Sequence, residues 1–256
     1  MNIAVITGAS SGLGKEFFKQ VIKRYPNLDE VWLIARREEK LKELAGEYPN
    51  KNIRVIALDL SDLRSFDILD TVLQKQKPNI KVLINNAGFD RAGLFREMNT
   101  SDILSIINLN VTGMTIINRL CLPYMNKGSY EIISGSIGAF VPNPWRTVYS
   151  ASKAYTRFLA RSLREEERKR GINIMLLSPG NMDTEMNDRS KSKGKLSLFP
   201  YLDLEKETIK SMKKAEKGVA AYTPRLIYKI YRVFGKIVPS ALAVKVASVE
   251  SSVKDQ

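Results

Sequence analysis

The sequence predicts an α/β fold, a doubly wound parallel sheet with helices on both faces, and three observations carry the prediction. Short apolar runs alternate with longer amphipathic stretches over most of the chain. Strand–helix units joined by right-handed crossovers build a parallel sheet of this kind. The runs are apolar at nearly every position, as in strands covered on both faces. The first run also ends in a glycine-rich turn that leads directly into the first amphipathic stretch. At 256 residues the chain fits one domain, 1–256, with no low-complexity linker.

In order, the strands are "IAVIT" (3–7), "VWLIA" (31–35), "IRVIAL" (53–58), "KVLIN" (81–85), "EIISG" (131–135) and "INIMLL" (172–177). Helical periodicity fills the spaces between them at 13–24, 37–47, 62–76, 101–126 and 147–170. "SKSKGKLSLFP" (190–200) reads as a mobile basic loop, and "LEKETIKSMKKAEKG" after it as a helix. A last amphipathic helix is expected between Pro224, which suits a helix start, and Pro239, which suits a stop.

Composition removes several chemistries. There is no histidine, so a Ser-His-Asp triad, a Cys-His dyad and most zinc sites are excluded, and no metal site is expected. Cys121 is the one cysteine, so no intrachain disulfide forms. Acid–base work near neutrality falls to Tyr, Lys or carboxylates. No apolar run reaches the 18 residues of a membrane span and the first residues do not read as a signal peptide, so a cytoplasmic location is expected. The net charge is +14, of which residues 189–256 hold +9. No aromatic-interleaved basic motif accompanies it, so nucleic acid is not an expected partner.

The turn "TGASSGLG" (7–14) places Gly8, Gly12 and Gly14 between a buried strand and a helix. Glycines there let backbone N–H groups approach a pyrophosphate at the helix N-terminus. Ser10, Ser11 and Leu13 share the turn. At the end of the second strand, where a carboxylate would read a ribose 2′-hydroxyl, the chain has Ala35, Arg36 and Arg37. A guanidinium binds a 2′-phosphate through charge-assisted bonds, so NADP(H) is expected in preference to NAD(H), with Arg36 as the reader and Arg37 as a solvated helix start.

Seven motifs in order carry a resemblance: "TGASSGLG" (7–14), "LDL" with Asp59 and Leu60, "NNAG" (85–88), "NLNVTG" with Asn110, "ISGS" with Ser136, "YSASK" (149–153) and "PGNMDT" (179–184). Over about residues 1–190 the chain resembles the short-chain dehydrogenase/reductase family, whose fold is a single Rossmann-type domain. The resemblance implies that Asp59 bonds the adenine amino group and that Asn86, Ala87 and Gly88 line the middle of the cofactor site. It adds Leu60, Pro179, Gly180 and Met182 to the cofactor contacts, with Thr184 on the nicotinamide carboxamide. Asn110, Ser136, Tyr149 and Lys153 are the implied catalytic tetrad, with Tyr149 and Lys153 also touching the cofactor. Asn110 would hold a water that links Lys153 to solvent.

Tyr149 and Lys153 are four residues apart, hence on one helix face. A free phenol has a pKa of about 10, too high for an efficient base near neutrality. A neighbouring ammonium, together with the positive nicotinamide of the oxidised cofactor, favours the phenolate, which is the expectation here. Tyr149 then exchanges a proton with the substrate oxygen while Ser136 hydrogen-bonds it.

The resemblance weakens after Thr184, so residues 185–256 are expected to form a divergent lid and C-terminal extension that covers substrate. Phe89, Trp145 and Met186 are candidate pocket walls beside Ser136 and Tyr149, with core packing as the competing reading. Arg225, Lys229, Arg232 and Lys236 share one face of the last helix. Either that face is solvated while the apolar face packs on the domain, or 224–238 touches an anionic membrane. This end is similar to lipid- and steroid-handling members of the family. The expected function is oxidation or reduction between a secondary alcohol and a ketone on an apolar, steroid-like or long-chain 3-oxoacyl substrate. The alternatives are another reaction on the same scaffold, such as epimerisation, and a non-catalytic NADP(H) sensor. The family commonly forms dimers or tetramers through the helices around 101–126 and 147–170, so a homo-oligomer is expected.

Overall fold

The computed structural model describes residues 1–187 and 199–248. Most of the basic stretch 190–200 lies outside the described residues. Seven parallel strands form one sheet in the order β3-β2-β1-β4-β5-β6-β7. They are β1 (Asn2–Thr7), β2 (Glu30–Ala35), β3 (Ile53–Ala57), β4 (Asn79–Asn85), β5 (Met125–Ser134), β6 (Asn173–Leu177) and β7 (Ala221–Tyr222). The chain reverses its direction across the sheet between β1 and β4. A crevice opens there at the carboxyl ends of the strands, where ligands bind in folds of this class. This is the doubly wound architecture expected.

Helices α1 (Gly12–Arg24), α2 (Glu38–Gly46) and α3 (Ser65–Gln76) connect the first strands. On one face of the sheet Phe17, Phe18 and Val21 of α1 pack with Leu33 and Ile132, and on the other Leu69 and Leu73 of α3 pack with Trp32 and Ile34. β3 departs from the expectation of a strand buried on both faces. It is the sheet edge, most of its positions are half-buried, and Arg54 shields it by pairing with Glu30 at 3.0 Å and capping the Trp32 ring.

The helix expected at 101–126 is widened in its middle. α4 (Thr100–Ile107) runs into a wide π-helical turn, Asn108–Gly113, before α5 (Met114–Cys121) resumes. Gly113 ends the wide turn in close contact with the segment after β3, where a Cβ would fall 2.5 Å from the Leu60 carbonyl. Helical geometry is continuous over Thr100–Tyr124, long and apolar enough by composition to cross a membrane, but α5 packs on β4 and α3 with Met114, Ile117 and Cys121 buried. α6 (Thr147–Glu167) packs on β6 and α4.

β5 hides a surprise in "YEIIS". Glu131 is fully buried mid-sheet, neither of its oxygens has a hydrogen-bond partner among the described residues, and neighbouring Asn85 donates instead to the Met114 carbonyl. Burial pushes the Glu131 carboxyl up to about 8; the nearby Asn85 amide opposes the shift without meeting hydrogen-bond geometry, and the Glu167 charge adds to it.

Beyond the motifs, α7 (Leu204–Glu216) forms as expected, N-capped by Asp203, whose carboxylate accepts from Lys206 N at 2.9 Å. α8 (Leu226–Ile237) starts two residues after Pro224 and stops before Pro239. Pro239 also begins an unforeseen helix, α9 (Ser240–Ala247). At 100° per residue, α8 has three faces rather than two. Tyr228, Tyr231 and Phe234 turn inward. Leu226, Ile230, Val233 and Ile237 form an outer row, exposed by 72, 58, 50 and 75%. The four basic residues stand between these rows.

Candidate active site

One cleft of about 1280 Å³ runs along the carboxyl ends of the central strands. Its nucleotide end is shaped by backbone. Gly8 and Gly12 have φ of 67° and 51°, a left-handed region that favours glycine. A Cβ on Gly14 would fall 2.1 Å from the Gly8 carbonyl, so the first turn of α1 lies directly on the loop. Thr7 ties this loop to the next strand end, its Oγ1 accepting from Asn86 N at 2.9 Å and Ala87 N at 3.0 Å. Glycines where side chains do not fit, at the start of a helix and opening on a cleft, suit a dinucleotide pyrophosphate.

Ser10, Ser11, Gly12, Leu13, Asp59, Leu60, Asn86, Ala87 and Gly88 line this cleft with Gly8, and so do Pro179, Gly180, Met182 and Thr184 from beyond β6. Gly14 does not line it; its role is the close packing just described. Asp59 Oδ1 accepts from Ser61 N at 2.9 Å and from Ser61 Oγ at 2.7 Å, and Arg36 Nη1 lies 3.8 Å from Asp59 Oδ2. Arg37 corrects an expectation. It is no bare helix start, since it lines the cleft, donates to Ser10 Oγ at 3.1 Å and pairs with Glu185 at 2.8 Å. Lys40 meets the same carboxylate at 2.8 Å. With Arg37, it pushes the Glu185 carboxyl down to about 2.

Toward the other end, Ser136, Tyr149 and Lys153 line the cleft together. Ser136 follows β5, and its Oγ accepts from Gly138 N at 3.0 Å. Tyr149 and Lys153 stand on the first turns of α6, with Lys153 Nζ 5.7 Å from the Tyr149 ring centre. Lys153 is buried and donates to the Ser134 carbonyl at 3.0 Å.

Burial dominates the electrostatics of this pair. Burial, helped by Asp90, pushes the Tyr149 phenol up to about 12, and Ser136 and Arg146 only partly oppose it. Burial pushes Lys153 down to about 8, against the pull of Asp90. Desolvation penalises both charged forms, the phenolate and the ammonium.

Asn110 and Lys153 meet over Gly88, where a Cβ would fall 3.3 Å from Asn110 Oδ1 and 3.5 Å from Lys153 Nζ. Asn110 is fully buried behind the cleft wall on the wide turn of the α4–α5 helix. Its Oδ1 accepts from Phe89 N at 2.8 Å, and its Nδ2 donates to Phe89 O at 2.8 Å and Ser152 Oγ at 3.1 Å. The side chain is thereby engaged in clamping the strand end that follows "NNAG".

Of the candidate pocket walls, Phe89 and Met186 line the cleft and Trp145 does not. Trp145 has φ 70°, and this left-handed backbone brings the next residue, Arg146, to the cleft instead. Sequence reasoning missed Arg146, Asp90 and the roof. The signal for the first two was an acidic residue and a basic residue, each set beside a family motif. The roof comes from α8 and the segment before α7: Phe199 stacks on Tyr228 with ring centres 5.8 Å apart, and Tyr231 on Phe234 at 6.1 Å. Tyr228 fits against Gly180, where a Cβ would fall 1.9 Å from the ring, and its hydroxyl accepts from Asn181 N at 3.1 Å.

Residues 2–195 match the model of the short chain dehydrogenase family. The chain belongs to that family. It is 32% identical over 244 residues to a very-long-chain 3-oxoacyl-CoA reductase from Rattus norvegicus, covering 91% of this chain and 73% of that one. Among solved structures it is similar to a short-chain dehydrogenase from Streptomyces avermitilis, with 25% identity, TM-score 0.76, and 91% and 92% of the two chains covered. A short-chain dehydrogenase from Sphingobium yanoikuyae in complex with NADPH shares the fold, with 21% identity, TM-score 0.76, and 94% and 98% covered. Membership makes this protein an NAD(P)-dependent oxidoreductase acting on CH–OH or keto groups.

Proposed function

We propose that this enzyme reduces the ketone of an apolar substrate to a secondary alcohol with NADP(H), using Tyr149 as the proton donor. The observation that carries the reading is the half-buried Tyr149 and Ser136 with the buried Lys153 in the same cleft as the glycine-rich turn. The bound cofactor supplies the hydride. Tyr149, held protonated by a pKa pushed up to about 12, gives its proton to the carbonyl oxygen, and in reverse takes one from the alcohol. Ser136 orients that oxygen. Lys153 reaches the cofactor side of the cleft beside Gly88. Arg36 and Arg37 at the end of β2 favour a 2′-phosphate.

The aromatic roof of Phe199, Tyr231 and Phe234, together with Phe89 and Met186, supports an apolar chain or ring system as substrate. The 3-oxoacyl-CoA reductase likeness supports the same class. The outer row of α8 beside Arg225, Lys229 and Lys236 favours contact with an anionic membrane. Leu104 and Phe158, exposed by 50 and 72% on α4 and α6, favour self-association through those helices.

The test follows cofactor absorbance with a panel of apolar ketones and 3-oxoacyl thioesters. Turnover is expected with NADPH, and Tyr149→Phe should lower it by about 10²–10⁴-fold with NADPH binding retained. Tight NADPH binding with no turnover on any ketone supports a sensor instead. Better use of NADH overturns the reading of the two arginines.

A further inference from the structure

We propose that Glu185 helps set the nucleotide specificity of this site: it is an anion of the chain's own that occupies Arg37 and must yield it before a 2′-phosphate binds there. Its effect is to weaken NADP(H) relative to NAD(H). This rests on the reading of Arg36 and Arg37 as the residues that receive the 2′-phosphate.

The geometry begins with a short turn. Thr184 and Asn187 close on each other, Asn187 N donating to the Thr184 carbonyl at 3.0 Å and Thr184 N to the Asn187 carbonyl at 3.4 Å, so Glu185 and Met186 form the tip. Asn187 Nδ2 adds a bond to the Met182 carbonyl at 3.2 Å. The turn lies against the glycine-rich loop, since a Cβ on Gly12 would fall 3.1 Å from Thr184 Cγ2. From the tip, Glu185 reaches the start of α2. Its Oε2 lies 2.8 Å from Arg37 Nη1, and its Oε1 accepts from Lys40 Nζ at 2.8 Å. Arg37 is tied to the glycine-rich loop as well, its Nη2 donating to Ser10 Oγ at 3.1 Å.

Arg37, Ser10 and Glu185 all line the main cleft, at the end of β2 where folds of this class read the ribose. Ser10, Ser11, Gly12 and Glu185 also line a smaller pocket of about 260 Å³, with Lys15 and Lys40 on its walls, so the carboxylate stands between two cavities. A carboxylate and a phosphate monoester ask for the same partners, N–H donors that carry positive charge. Glu185 gives one oxygen to each of two cations, as a phosphate would. Those cations push its carboxyl down to about 2, so it is ionised throughout the neutral range. Arg36 is placed differently. Its side chain is 65% exposed, and the Asp59 carboxylate 3.8 Å away is beyond hydrogen-bond distance and already accepts from Ser61. Arg36 is therefore ready for a new anion, whereas Arg37 must exchange one anion for another. Both ion pairs of Glu185 are about half exposed, and pairs of that kind are weak enough to exchange. Glu185 is a competitor, not a block.

The experiment measures binding alone, by isothermal titration calorimetry of the free protein with adenosine 2′,5′-bisphosphate and with 5′-AMP at one ionic strength. The two probes differ only in the 2′-phosphate, so the ratio of their affinities reads the hold on that group. Glu185 lies exposed in a surface turn, and its replacement leaves the core intact. In Glu185→Gln the ratio should rise in favour of the bisphosphate by about threefold or more, the scale of two exposed ion pairs released. In an Arg37→Gln background the same substitution should lose most of that gain. A merely structural role, tying the turn to α2, would move both probes together and leave the ratio where it was. Failure of the arginine reading has its own signature: a ratio near one in the unaltered protein that does not drop in Arg36→Gln or Arg37→Gln. An unchanged or lower ratio in Glu185→Gln overturns the proposal, and so does an equal gain with and without Arg37.

Discussion

The two ends of the cleft are built from different material. At the nucleotide end the walls are backbone: Gly8, Gly12 and Gly14 bring main chain to main chain, and Thr7 stitches β1 to the end of β4. At the roof the walls are side chains, with Tyr228 fitted against Gly180 and Phe199, Tyr231 and Phe234 arranged around it. Main-chain walls fix a shape that suits one invariant ligand part. Side-chain walls can be exchanged without moving the sheet, which suits a substrate pocket.

The contrast can be broken most forcefully at Gly14. A Cβ there meets the Gly8 carbonyl at 2.1 Å and Asn86 Nδ2 at 2.9 Å. Gly14→Ala should cost about 3 kcal/mol or more in chemical unfolding, the upper end of overpacking, and abolish NADPH binding. A loss below about 1 kcal/mol would show that the loop gives way like a side chain.

Glu131 comes next and sharpens the comparison by lying at neither end. Its folded pKa of about 8 exceeds the ordinary carboxyl value of 4.5, so the folded state keeps a proton that the unfolded state has released. Stability should therefore fall as pH rises from about 4.5 to 8 and level off above that, by a few kcal/mol at about 1.4 kcal/mol per unit. Glu131→Gln should flatten this part of the stability–pH curve; a curve unchanged by the substitution would mean that the carboxyl is hydrated or otherwise satisfied.

At Gly180 the effect should be moderate and local. Gly180→Ala must displace the Tyr228 ring, at about 1–3 kcal/mol, raising KM for an apolar ketone; Gly180 also lines the nucleotide end, so NADPH affinity should fall too, but by less. Equal loss of both would mean that the roof and the nucleotide end are one mechanical unit. The smallest change in stability belongs to the outer row of α8. Val233→Asp with Ile237→Glu should move unfolding by no more than about 0.5 kcal/mol each. The same pair should abolish co-sedimentation with anionic liposomes, and retained binding would remove α8 from any membrane role.

The same division decides what could be read from sequence. β1, β2, β4 and the glycine-rich turn were legible because buried parallel strands and glycine positions leave local marks that depend on few distant contacts. Ser136, Tyr149 and Lys153 were legible as spaced motifs, and they line one cleft. The wide turn at Asn108–Gly113 was not, because helical periodicity continues through it. β7 escaped because two residues carry no period, and α9 because Pro239 reads as a stop before it reads as a start. Glu131 and the Asp90–Arg146 pair were hidden for a deeper reason. A charged residue looks solvent-exposed in sequence, and its burial is decided by elements far along the chain.

Ile227 and Ile230 line the cleft from α8 yet remain 43 and 58% exposed, and Ile230 belongs to the outer row as well. Turning that helix by a few tens of degrees would swap chamber wall for outer skin. The room left for a guest and the greasiness shown to the surroundings are thus two readings of a single dial, with Tyr228 against Gly180 as its detent.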